Sequence, residues 1–273
     1  MISRAHITAW RSVVPWGEDA QIEQDLVLSR ALVEIFRIPE VADRLVLRGG
    51  TALHKLLLRP SARYSEDIDL VQLSAAPIGK TLDAIRSGLD SWLGEPRRQQ
   101  GKGLVTLAYR FESESLPVRP LRLKIEINTR EHFAMLDCER PSFMVDNPWF
   151  RGEARVTVYH VDELFGTKLR ALYQRKKGRD LFDLWLALDR GLLNAEAVMK
   201  CFLRYMQASD ATVSRAEFEA NLAAKIADQA FLRDVQPLLA AGVHYDATLA
   251  LQAVLQKLVA RLPGDPWRGE AIH

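Results

Sequence analysis

The sequence predicts an α+β protein: a core built on a mixed sheet, followed by a helical C-terminal part. Three observations carry this. Short apolar runs near 45–48, 67–71, 104–111 and 121–128 alternate or sit between Gly and Pro breaks, as half-buried strands do. Ahead of them, DAQIEQDLVLSRALVEIFR places Ile22, Leu26, Leu28, Leu32, Val33 and Phe36 at helical spacing. From Asp162 onward the spacing is helical throughout. The expected division is a core with N-terminal helices over 1–160 and a helical domain over 161–273.

Composition excludes little beyond extremes. A chain of 273 residues can bury one large core or two modest ones. A hydrophobic content of 48% and a charged content of 26% are ordinary for a soluble globular protein. Lys plus Arg (37) nearly balances Asp plus Glu (35), so the net charge of +2 names no partner and only local clusters can. Cys138 and Cys201 lack metal-ligand spacing and fit a reduced, cytoplasmic setting. No run of 18 apolar residues and no signal-peptide pattern occurs, so a soluble intracellular protein without membrane contact is expected.

In chain order, residues 7–37 read as a packing helix over one sheet face. LVLR then turns on Gly49-Gly50-Thr51 into a helix through Leu58. Gly79-Lys80-Thr81 opens a helix to about Leu93; it resembles the end of a phosphate loop, but Ser74 stands where the first Gly is needed and Pro77 interrupts. Residues 95–103 read as a polar, basic connection into strands at 104–111 and 121–128, joined as a hairpin. Residues 129–153, with Pro141, Pro148 and Gly152, read as an irregular loop over the site, and 154–158 as a short strand. Asp162 is the expected N-cap of a helix to about Arg175, on which Leu164, Lys168, Ala171 and Arg175 share a face. After KKGR a second helix places Asp180, Asp183 and Leu184 on one side. Helices near 195–207, 214–225, 228–241 and 246–261 complete the chain, with Pro237 ending or kinking the third.

The chemistry is concentrated in Asp67-Ile68-Asp69. On a strand the two aspartates share a face, with Ile68 and Leu70 on the other. Like charges so close are costly unless a cation joins them, and their oxygens suit Mg²⁺. An Asp-x-Asp alone is also common by chance. On the strand at 121–128, Lys124 and Glu126 share a face opposite Leu123, Ile125 and Ile127; the ordinary role of Glu126 is an ion pair with Lys124. Arg170, Arg175, Lys176, Lys177 and Arg179 form a basic cluster whose ordinary role is a solvated helix end.

Strand, Gly-Gly-Thr, helix and a strand bearing Asp-x-Asp together resemble the nucleotide-binding core of the polymerase-β-type nucleotidyltransferase superfamily. The segments LRGGTALHKLLL, RYSEDIDL, LKIEIN and ELFGTKLRALYQRKKGRDLFDLW, in that order over residues 40–190, more specifically resemble the AbiEii/AbiGii toxin family of toxin–antitoxin and abortive-infection systems. The gap between the Gly pair and Asp67 is longer than usual for the superfamily, and a basic, small-residue loop insertion accounts for it.

The resemblance implies a metal-dependent nucleotidyl transfer. Asp67, Asp69 and Glu126 would hold two Mg²⁺ ions, and Gly49, Gly50 and Thr51 would bind the triphosphate of an NTP. Lys168 would stabilise phosphate charge, and Asp180 matches an acid that family members need; its ordinary role is to offset a helix dipole. Ser65 would bond the triphosphate or be modified, and Arg63 would contact phosphate. Tyr64 and Tyr173 could stack a base, core packing being their ordinary use. The implied acceptor is RNA, in particular the tRNA 3′ end, with segments 97–102 and 170–179 supplying phosphate contacts. An antitoxin encoded nearby is implied as a partner. Two other classes stand beside this: transfer to a protein or small-molecule hydroxyl, and a non-catalytic binding module.

Overall fold

A computed structural model describes residues 2–269. They divide into two compact units, the first ending at Tyr159 and the second starting at His160.

The first unit opens with α1 (Arg4–Trp10) and α2 (Asp19–Phe36). The expected single helix over 7–37 is therefore broken at 11–18, where Pro15 and Gly17 interrupt it. The break brings two indoles to one buried acid. Trp10 Nε1 donates to Asp25 Oδ1 at 2.9 Å and Trp16 Nε1 to Oδ2 at 2.8 Å. Lys55 Nζ completes the cluster, 2.6 Å from Asp25 Oδ1 and 3.0 Å from Ser29 Oγ. A buried carboxylate is tolerable only with such partners.

After α3 (Pro39–Arg44) come β1 (Leu45–Arg48), α4 (Gly49–Ala52) and a π-helical turn, Leu53–Leu57. Next are β2 (Asp67–Gln72) and α5 (Gly79–Leu93). β3 (Arg97–Gly101), β4 (Leu104–Glu112) and β5 (Pro120–Asn128) finish a five-stranded sheet of order β1-β2-β5-β4-β3. Only β2 and β5 run parallel, so the sheet is mixed. Alternation sets its two faces. Ile68, Leu70, Val105, Leu107, Tyr109, Leu123, Ile125 and Ile127 all point to one side and are buried. That side packs on α2 and α5. Each such side chain stabilises the unit by roughly 1.5–3 kcal/mol, and Tyr109 adds a hydrogen bond to Asp90 of α5 at 2.9 Å. The opposite face carries Asp67, Asp69, Lys124 and Glu126.

Two stretches read as irregular are ordered strands. Residues 97–101, within the expected polar connection, form the fully exposed edge strand β3, held by β4 alone. Within the expected loop 129–153, β6 (Ser142–Asn147) and β7 (Phe150–Arg155) make a separate hairpin. The strand expected at 154–158 thus begins earlier, and Val158 makes only isolated bridges to Leu47 and Glu139.

The second unit is helical: α6 (Val161–Gln174), α7 (Gly178–Asp189), α8 (Ala195–Gln207), α9 (Arg215–Ile226), α10 (Gln229–Arg233) and α11 (Ala247–Lys257). The α6 N-cap is His160, whose ring accepts from the Asp162 N–H at 3.2 Å; Asp162, the expected cap, lies within the first turn. Gly166 lets α6 approach α8, since a Cβ there would stand 2.6 Å from Cys201 Cβ. Lys225 donates to the carbonyls of Leu172 and Tyr173 at the end of α6, satisfying helix-terminal acceptors. The helix expected over 228–241 is the short α10 followed by a 3₁₀ turn, Gln236–Leu238, at Pro237. Among the described residues no helix is long and apolar enough to cross a membrane.

Candidate active site

The sheet register assembles the acids. Asp69 pairs with Glu126 and Asp67 with Lys124 across the parallel β2–β5 ladder, so all four side chains share the face away from the core. Lys124 Nζ lies between carboxylates, 3.0 Å from Asp67 Oδ2 and 3.3 Å from Glu126 Oε2. Burial raises the Asp67 pKa, and the Lys124 ammonium only partly offsets this. For Lys124, burial pulls the pKa down, but its contacts with Asp67 and Glu126 outweigh that and raise it. The two carboxylates thus already converge on one positive charge.

Three carboxylates closing on a metal by themselves are not what the structure shows. Among the described residues, no group of three or more His, Cys, Asp or Glu side chains is gathered tightly enough to hold an ion. Lys124 takes that place for Asp67 and Glu126, which also realises the ordinary ion-pair role of Glu126. The donor chemistry nonetheless fits a divalent ion. Acidic oxygens from two adjacent strands reach a common cation, and hard oxygen ligands are those Mg²⁺ prefers.

The glycine turn lies against the same acids. Gly49 has φ +76°, the left-handed region open to glycine, and a Cβ there would stand 2.2 Å from Asp69 Oδ2. At Gly50 a Cβ would stand 2.7 Å from Arg63 Nη2 and 2.9 Å from Ser65 Oγ. Arg63 and Ser65 are thereby brought to the turn. The guanidinium is buried, and its Nη1 donates to the Tyr64 carbonyl at 2.9 Å. Thr51 is different from expectation. Its hydroxyl is fully buried, donates to the Asp67 carbonyl and bonds Ser65 Oγ at 2.9 Å, so it ties α4 to β2 instead of facing a ligand. Arg48, next to the turn, pairs with Glu131 at 2.8 Å.

The remaining motif residues gather inside the second unit. Lys168 Nζ lies 3.1 Å from Asp180 Oδ1 and 3.0 Å from Asp183 Oδ2. Arg175 grips Asp180 with two bonds, at 2.7 and 2.8 Å. Burial alone would raise the Asp180 pKa, but Lys168 and Arg175 prevail and lower it. Asp180 is thus far more than a dipole-compensating acid.

The basic link, to which the resemblance assigns phosphate contacts, is paired internally with acids. Arg175 binds Asp180, Lys176 binds Asp228, and Lys177 and Arg179 lie 3.4 and 3.9 Å from Asp234. Arg170 lies over the Tyr205 ring at 4.9 Å. Of the tyrosines, Tyr64 is buried edge-on against Trp16, and Tyr173 packs on Phe218. Both make the ordinary packing contacts.

The Lys124–Asp67 contact has no local signature in the sequence. The adjacency of Lys124 to Glu126 was visible from period 2, but contact with Asp67 depends on a pairing register between distant segments.

Acids on adjacent parallel strands, beside a glycine turn in an open mixed sheet, form the arrangement that the nucleotidyltransferase resemblance implies. The family model described as nucleotidyl transferase AbiEii toxin, type IV toxin–antitoxin system, matches residues 30–257, and the chain belongs to this family. Solved structures agree on the fold. MenT4, a nucleotidyltransferase toxin from Mycobacterium tuberculosis H37Rv, superposes with a TM-score of 0.67 at 16% identity, covering 96% of this chain and 91% of MenT4. A putative nucleotidyltransferase from H. pylori gives 0.53 at 19% identity, covering 89% of this chain and 96% of that one. No curated protein matches the chain.

Proposed function

We propose that this toxin transfers a nucleotidyl group from an NTP to an RNA hydroxyl, with the tRNA 3′ end as acceptor, and that blocked aminoacylation is the toxic outcome. The observation carrying this is the convergence of Asp67 and Glu126 on one cation, with Asp69 packed on the Gly49 turn. Asp67, Asp69 and Glu126 are the residues that would hold Mg²⁺. When bound, the metal supplies charge neutralisation at phosphate and a lowered pKa for an acceptor hydroxyl.

The chain's own groups do the rest. The left-handed Gly49 and the small Gly50 leave the backbone open to close approach, where N–H groups at a helix start favour phosphate. Arg63 and Ser65 pack at Gly50, which supports assigning them to the triphosphate. Lys168 keeps the role of phosphate-stabilising cation on family resemblance, with Asp180 and Asp183 fixing its ammonium. Cytoplasmic action and control by a neighbouring antitoxin follow from the same resemblance.

The internal pairing of residues 175–179 favours a second reading, in which the acceptor hydroxyl belongs to a protein or small molecule. One experiment separates them: incubation with total tRNA, Mg²⁺ and each labelled NTP. Label in RNA that disappears in Asp67→Ala supports the first reading. Label in protein or a small molecule, with none in RNA, replaces it with the second.

A further inference from the structure

The carboxylate-bearing face of the sheet does not end at β5. By register, the row Asp69–Glu126 continues to Thr106 and Gln99, and the row Asp67–Lys124 to Ala108 and Arg97. One step along the strands, Arg122 of β5 stands directly opposite Arg110 of β4. Arg97, Arg110 and Arg122 are all exposed, and none is ion-paired with another described residue. Two arginines facing each other across an antiparallel pair repel, and such a pair is destabilising unless an anion joins it. Glu112, one step further on β4, forms no ion pair with either. Arg122 is four residues from Glu126 on one strand, a separation of ~13 Å at ~3.3 Å per residue. Arg175, Lys176, Lys177 and Arg179 of the second unit each have an acid partner, whereas these three arginines have none among the described residues.

We propose that Arg110 and Arg122, with Arg97 beside them, form the phosphate-binding platform that holds the acceptor polynucleotide while its end lies at Asp67 and Glu126. This rests on the RNA reading above and names the surface and positioning residues that the reading leaves unassigned. The arginines act on the backbone, so the platform binds without regard to sequence.

The test compares the wild type with Arg110→Gln/Arg122→Gln and, as a control, Lys176→Gln/Lys177→Gln. Dissociation constants for tRNA and for a single-stranded oligonucleotide are measured by anisotropy across a salt series, together with NTP KM and thermal unfolding. The arginine variant is expected to bind polynucleotide at least about tenfold more weakly, with a salt slope reduced by roughly 1.4–1.8, about 0.7–0.9 per lost phosphate contact. NTP KM stays within about twofold and Tm is unchanged or higher, which rules out misfolding. The control retains wild-type affinity. Unaltered polynucleotide binding overturns the proposal, and a loss confined to NTP assigns the arginines to the donor instead. A wild type that labels only a protein or small molecule, with no salt-sensitive polynucleotide binding, overturns it while leaving the transferase standing. Arginine-dependent binding without any transfer supports the platform and overturns the transfer reading.

Discussion

Gly49 and Asp69 meet so closely that a β-carbon on the first would stand 2.2 Å from a carboxylate oxygen of the second. The positive φ of Gly49 adds a backbone penalty of ~1–2 kcal/mol for any L side chain. Gly49→Ala is therefore expected to lower Tm and to abolish nucleotidyl transfer by at least about 100-fold, because Asp69 must move. Thermal unfolding and label incorporation check both. Near-normal transfer would show that Asp69 need not sit where it does.

Lys124 holds Asp67 and Glu126 together, so Lys124→Met should leave two carboxylates facing each other. Mg²⁺ then has no ammonium to displace, and its stabilisation, ~2.7 kcal/mol at 100 times Kd, should set in at lower concentration than in the wild type. Losing the offset also pushes the Asp67 pKa further up. A raised folded-state pKa means stabilisation complete below the unfolded value of ~3.9 and lost as pH rises through the folded value. The acid limb of the pH–rate profile should accordingly move to higher pH. Mg²⁺ titrations followed by unfolding, and rate profiles between pH 4 and 8, decide it.

Asp180 is fully buried with its pKa lowered against the effect of burial. Its stabilisation is present above the unfolded pKa of ~3.9 and disappears as pH falls through the lower folded value. Asp180→Asn takes one of its two acids from Lys168, which keeps Asp183, and removes the charge that Arg175 grips, at a cost of up to about 3–5 kcal/mol, the figure for breaking a buried pair. Urea unfolding from pH 7 to 2 should show a steep acid loss in the wild type and a shallow one in the variant. Lys168→Arg should keep more stability than Lys168→Met, and a loss of transfer in a stable Lys168→Arg would mark the ammonium as functional.

Thr51→Ser should behave like the wild type, since the hydroxyl to the Asp67 carbonyl and Ser65 is kept. Thr51→Val strands those partners and should cost ~1–3 kcal/mol. If NTP KM rises by more than stability explains, Thr51 contacts the nucleotide after all.

The α+β class and the sharing of a face by Asp67 and Asp69 were legible because period 2 is a local property of β2. β3 was not, because RRQQG is an exposed edge held only by β4 and lacks apolar alternation. The β6–β7 hairpin was hidden behind Pro141, Pro148 and Gly152, although Phe143, Val145 and Asn147 alternate inward. The partners of the basic link, Asp228 and Asp234, lie some fifty residues downstream of it, beyond any local pattern. The same holds for Lys124 and Asp67, whose meeting is decided by strand order.

Asp25 precedes the family-matched span of residues 30–257, yet it is the counter-ion of Lys55, on the π-helical turn that continues from the Gly49 helix. A fragment trimmed to that span would lose Trp10, Trp16, Asp25 and Ser29 together, the groups that cover and balance the Lys55 ammonium. The turn that follows the glycines would then lose the cluster that anchors it to α2. The first twenty-nine residues are in this sense part of the glycine turn's foundation, and shortened forms of the toxin should be harmless for a reason unrelated to any catalytic group.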